Sequence, residues 1–155
     1  MNATLSILLS GAALIMGACG PAETPGADKA VAASTTVAVS DAWCRPTPNG
    51  ARAGACYVTL TARGGDDRLV SVSTPAAGMA MIHQMSTEGG MMQMSEMEHG
   101  LPLPAGRAVT LAPGGTHLML MQLTGPLVAG TSVPLTLTFS QARAAHVNAI
   151  VRQPT

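Results

Sequence analysis

From residue 37 onward, apolar and polar positions alternate with a period of two in short runs separated by Gly, Pro and Asn. This is the pattern of half-buried strands, whose successive side chains point to opposite faces. The clearest runs are residues 56–61 (CYVTLT), 68–73 (RLVSVS), 116–123 (THLMLMQL), 132–139 (SVPLTLTF) and 147–151 (VNAIV). Weaker runs cover residues 36–43, 80–85, 91–94 and 108–111. Turn signals fall between them: PNG at 48–50, RGGDD at 63–67, EGG at 88–90, PAG at 104–106, PGG at 113–115 and AGT at 129–131. No window of a dozen residues carries a helical period. About seven to nine short strands therefore predict an all-β domain, a small antiparallel β-sandwich or barrel with Greek-key connections.

The beginning of the chain reads differently. Residues 5–18 (LSILLSGAALIMGA) have the length of a signal-peptide apolar region and are followed at once by Cys19. Residues 16–19 (MGAC) resemble a bacterial lipobox, in which the cysteine thiol is acylated and becomes the new N-terminus. Residues 1–6 lack Lys and Arg, so a cleaved soluble form and an uncleaved anchor stand as alternatives. The division expected is a lipoprotein-type signal peptide at 1–19, a flexible Pro/Ala/Gly linker at 20–36 and a β domain at 37–155. Several acyl chains on Cys19 would suffice for stable membrane attachment, leaving the domain in the periplasm and touching the membrane only through that anchor.

Composition narrows the function. Eight basic residues balance eight acidic ones, and charged residues make up only 10% of the chain, against roughly 25% in an ordinary soluble domain. A nucleic-acid partner is thus not expected. Trp43, Tyr57 and Phe139 are the three aromatics, so the core is expected to be aliphatic and, with eleven methionines, sulfur-rich. Apart from Cys19 the cysteines are Cys44 and Cys56, a single pair in an exported chain, and a structural disulfide is the natural reading. The spacing is not that of a C-x-x-C redox pair. No Ser/His/Asp triad or pair of carboxylates marks a catalytic centre, so an enzyme is not expected.

The methionines carry the remaining signal. Seven of them, from Met79 to Met97, lie within 19 residues, with His83 among them and His99 just beyond. On a strand, Met79, Met81, His83 and Met85 would share one face and Ile82 would take the other. Residues 116–123 repeat the arrangement, with His117, Met119 and Met121 on one face and Leu118 and Leu120 on the opposite one. Two His-x-Met strands at one end of a sandwich could bring two imidazoles and two thioethers to a common point. Thioether sulfur is a soft donor that selects Cu(I); Mg and Ca want oxygen, and zinc sites draw on Cys, His and carboxylate. A blue-copper centre needs a Cys thiolate, which a disulfide would remove. Met85, Met91, Met92, Met97, His99 and Met121 are candidate auxiliary donors, equally readable as a solvated loop with gap-filling methionines. His146 reads as structural or solvent-facing, and Trp43 as a core residue beside the disulfide.

The residues Ile82-His83-Gln84-Met85, Gly90 to Met94, Leu103 to Gly106 and Pro113 to Met121 resemble the periplasmic copper chaperones of the PCu(A)C type, as do Asp41 to Trp43 and Gly54 to Tyr57. That family places a His, ten residues, a Met, about twenty-one residues and then His-x-Met. In this chain ten residues separate His83 from Met94, and 22 separate Met94 from His117, the extra one falling around Glu96 to Leu101. The resemblance implies a cupredoxin-like barrel, Cu(I) held by His83, Met94, His117 and Met119, and delivery by a monomer to a copper-accepting protein such as a cytochrome oxidase subunit or another copper chaperone. Two other functions fit the residues: a thiol-disulfide oxidoreductase using Cys44 and Cys56 on a copper acceptor, and passive copper buffering.

Overall fold

The structure is a computed structural model that describes residues 34–154. The expected signal segment 1–19 with Cys19, and the expected linker up to residue 33, lie outside the described residues. Those described form ten strands and no helix: β1 (Thr36–Cys44), β2 (Ala53–Arg63), β3 (Asp67–Ser73), β4 (Ala77–Glu88), β5 (Met91–Glu96), β6 (Leu101–Leu103), β7 (Ala108–Thr110), β8 (His117–Leu123), β9 (Ser132–Phe139) and β10 (Ala145–Val151). They make one open sheet in the order β5-β4-β8-β2-β1-β10-β9-β3-β6, with β7 added to β2. The sheet curls until β3 packs against β4, which gives the expected all-β, cupredoxin-like sandwich.

Two features depart from the expectation. The sheet is mixed rather than purely antiparallel, because β1 and β10 pair in parallel through Trp43 with Ile150 and Cys44 with Val151. These partners lie at opposite ends of the domain, where local patterning carries no pairing signal. Strand β6 is the one run the alternation did not reveal; it has three residues with Pro102 at its centre, and it sits at a sheet edge, where proline is tolerated.

The core is aliphatic, but it is not rich in methionine. Leu60, Leu69, Leu103, Leu111, Leu118, Leu120, Leu135 and Leu137 are fully buried, with Phe139 as the aromatic among them. Of the described methionines only Met97 packs against this cluster. The reason is parity: Ala80 and Ile82 of β4 and Leu118 and Leu120 of β8 occupy the inner face, so the alternating methionines are driven to the outer one. Cys44 and Cys56 are register partners on β1 and β2, joined by a disulfide and wholly buried. Trp43, one residue away, is buried on the other side of the sheet, outside the leucine cluster.

Asp67 fixes the loop after β9. Its carboxylate accepts the backbone N–H groups of Arg68 at 2.7 Å, Gln141 at 2.9 Å and Ala142 at 2.8 Å. Burial alone would raise its pKa, but these donors stabilise the anion more and hold it below the ordinary carboxylate value. A lowered folded-state pKa contributes stability above the unfolded value near 3.9, and that stability is lost as the pH falls through the folded value.

Asp67→Asn, which sets an amide N–H₂ against backbone donors, is expected to cost about 1–3 kcal/mol at neutral pH and to flatten the acid limb of the stability profile, as read by urea denaturation between pH 2 and 7. Replacing Cys44 and Cys56 together by Ala should lower the unfolding free energy by about 2–5 kcal/mol; an unchanged denaturation midpoint would mean that the sheet alone holds the β1–β2 register.

Candidate metal centre

Strands β4 and β8 are adjacent and antiparallel, and their register sets donor opposite donor. His83 faces His117, Met81 faces Met119 and Met79 faces Met121. On the other side of β4, Met85 faces Met94 of β5 and His83 faces Glu96. His83 is therefore the hub of the sequence-derived ligand set. His117 is its direct partner, while Met119 on β8 and Met94 on β5 each occupy a diagonal position. Diagonal residues lie about 7–8 Å apart, within reach of long side chains.

The imidazoles of His83 and His117 stand edge to face with centroids 5.9 Å apart. His117 is only 6% exposed, and its Nδ1 lies 3.0 Å from the carbonyl oxygen of Gly115. A carbonyl can only accept, so Nδ1 carries the proton and donates it, leaving Nε2 with a free lone pair. Orientation of a ligand imidazole by a backbone carbonyl on its other nitrogen is a recurrent feature of metal sites. His83 offers a different sign: its Nδ1 is buried and, among the described residues, is the one buried side-chain polar atom without a hydrogen-bond partner. Such an atom costs about 1–3 kcal/mol unless something binds it.

Strand β2 walls the site. The ring of Tyr57 lies 6.5 Å from that of His117 and 4.5 Å from that of Trp43. The Arg152 guanidinium sits 4.6 Å over Trp43 and is held at 2.9 Å by Asp41. Four rings thus run side by side from β4 to β1 on the outer face. Farther along β2, Ala53 and Ala55 are the register partners of Met121 and Met119. Their short side chains leave an open apolar concavity of about 280 Å³ beside Met119.

The other candidate donors divide. Met85 and Met92 lie on the same face of the β4–β5 hairpin as Met94, which is 49% exposed, and Met91 lies at its tip. Met97 packs against the leucine core, and His99 is exposed in the following turn, where its carbonyl accepts from Arg68; neither joins the His pair. His146 is exposed and pairs with Thr136. Sequence reasoning overlooked Glu96, although the period of two that puts Met92 and Met94 on one face includes it. Tyr57 was also overlooked, because its nearness to His117 depends on strands distant in sequence. Among the described residues no three His, Cys, Asp or Glu side chains gather as a metal site. The disulfide is buried, with both cysteines at 0% exposure, whereas thiol–disulfide exchange requires access to a sulfur.

Residues 37–151 match the LpqE-like family. A lipoprotein-named protein of Leifsonia xyli subsp. xyli, Lxx21020, is 34% identical over 143 residues, 88% of this chain and 82% of its own length. Among solved structures, the apo PCuAC domain from PmoF1 superposes with a TM-score of 0.64 at 26% identity, covering 77% of this chain and 95% of that domain. DR1885 of Deinococcus radiodurans is similar in its apo form, with a TM-score of 0.57, 31% identity and coverage of 99% and 97%. Its Cu(I) form gives 0.55 and 32%, with coverage of 84% and 85%.

The hydrogen bond to Gly115 predicts that neutral His117 is protonated at Nδ1. Nitrogen-15 shifts measured at alkaline pH should report that tautomer; a dominant Nε2–H form would contradict the geometry.

Proposed function

Because the chain belongs to the LpqE-like family, we propose that it is an exported copper chaperone that binds Cu(I) through His83, His117, Met119 and Met94 and passes it to a copper-accepting protein by ligand exchange. The observation that carries this reading is the register of β4 against β8 and β5, which makes His117 the direct neighbour of His83 and makes Met119 and Met94 its diagonal neighbours. Two imidazoles and two thioethers form a neutral, soft set that suits Cu(I). The likeness to DR1885, solved with Cu(I), supports copper as the cargo.

The same chemistry suits release. No ligand in the set is anionic, so thiolates of an acceptor bind the ion more strongly than the thioethers they displace. Met94 lies on an edge strand whose six residues are all exposed, and it is the ligand an incoming thiolate can replace first while the shielded His117 still holds the ion. The acceptor is a cytochrome oxidase subunit or a further copper chaperone. In this reading Cys19 is acylated, residues 20–36 are the tether, and the domain works as a monomer at the outer side of a bacterial membrane; the lipoprotein name of the Leifsonia relative supports the anchor.

Full-length protein with Cys19→Ser, titrated with Cu(I) against a competing chelator, should take up one tight equivalent. His83→Ala and Met119→Ala should each weaken it by more than about 100-fold, beyond the roughly 10–100-fold that follows loss of a supporting group around a metal. Unchanged affinity in both variants would return these side chains to a structural role.

A further inference from the structure

The relation that joins His83, His117 and Met119 recurs one rung along the same two strands. Met81 has Met119 as its direct partner and Met121 on the diagonal, and Met79 has Met121 directly opposite. Moving down the ladder replaces imidazole by thioether and leaves the spacing unchanged. We propose that Met79, Met81 and Met121 form a second Cu(I) position made of thioethers alone, adjoining the His pair and linked to it through Met119, so that the ion steps between the two positions. The proposal rests on the copper reading of the His83 site.

Three observations carry it. These methionines do not fill the core, since Ala80, Ile82, Leu118 and Leu120 do so from the opposite face of the same strands. The ladder is open on its β2 side, where Ala53 and Ala55 stand beside Met121 and Met119. Exposure is also graded, from Met79 at 48% through the half-buried Met81, Met119 and Met121 to His117 at 6%. The array stops sharply at its outer end: Gln122 has a φ of 56°, which breaks the alternation, and the next residue, Leu123, packs with the core. Four thioethers, those of Met79, Met81, Met119 and Met121, thus line a stretch that runs from the exposed Met79 to the imidazoles.

Leucine keeps the apolar bulk of methionine and removes the sulfur, so it separates ligation from packing. Full-length protein carrying Cys19→Ser would be titrated with Ag(I), a redox-inert substitute for Cu(I), while the methionine methyl signals are followed by NMR. The first equivalent should shift Met94 and Met119, and a second, weaker one should shift Met79, Met81 and Met121. Met79→Leu combined with Met121→Leu should lose the second equivalent, keep the first, and capture metal more slowly. A second equivalent that leaves those three methyls unmoved, or one that survives the double substitution, would overturn the ladder even if the first behaves as expected. Absence of the first equivalent's shifts at Met94 and Met119 would instead overturn the underlying copper site.

Discussion

The register between β4 and β8 is the constraint on which the rest depends. Ile82, Leu118 and Leu120 must face the leucine core, and a slip of one residue would turn every side chain of a strand to the opposite face. Burial of those aliphatic residues therefore turns His83, His117, Met81 and Met119 to the outer face together, where the register sets His83 against His117 and Met81 against Met119. The donor array is held by hydrophobic packing on the reverse side of the sheet. It needs no hydrogen bonds among its own members, which leaves their lone pairs free.

The neighbouring strands reinforce this from both faces. Beneath, the Cys44–Cys56 bridge ties β1 to β2 beside Leu118. Above, Tyr57 and Trp43 stack next to His117, with Arg152 and Asp41 closing the row. The imidazole at the buried end of the array is thus backed by rigid rings, whereas Met94 at the other end belongs to an exposed edge strand. Rigidity and access are distributed to opposite sides of one hub, His83.

Much of this was legible in the sequence, for reasons that can be stated residue by residue. A period of two in residues 80–85 and 116–123 told which side chains share a face, because alternation is a local property of extended backbone. Which strands adjoin is not local: the direct pairing of His83 with His117, the nearness of Tyr57, and the parallel contact of β1 with β10 all join segments far apart in the chain. The expectation of a sulfur-rich core failed because composition counts methionines without regard to parity. Glu96 was not legible for a different reason: it carries neither thioether nor imidazole, and only the alternation, which runs two residues beyond Met94, puts it on the same face.

The division of labour between the two faces of β4 and β8 has a consequence for damage. Methionine is converted to its sulfoxide by oxidants, most readily where it is exposed, and Met79, Met92 and Met94 are the exposed methionines of the array. Sulfoxide formation would replace soft sulfur donors by polar groups on the outer face, while the leucines that hold the fold stay shielded behind it. Such a molecule would pass every test of folding and still have lost the thioethers of its outer face, so its chemical lifetime would be shorter than its structural one.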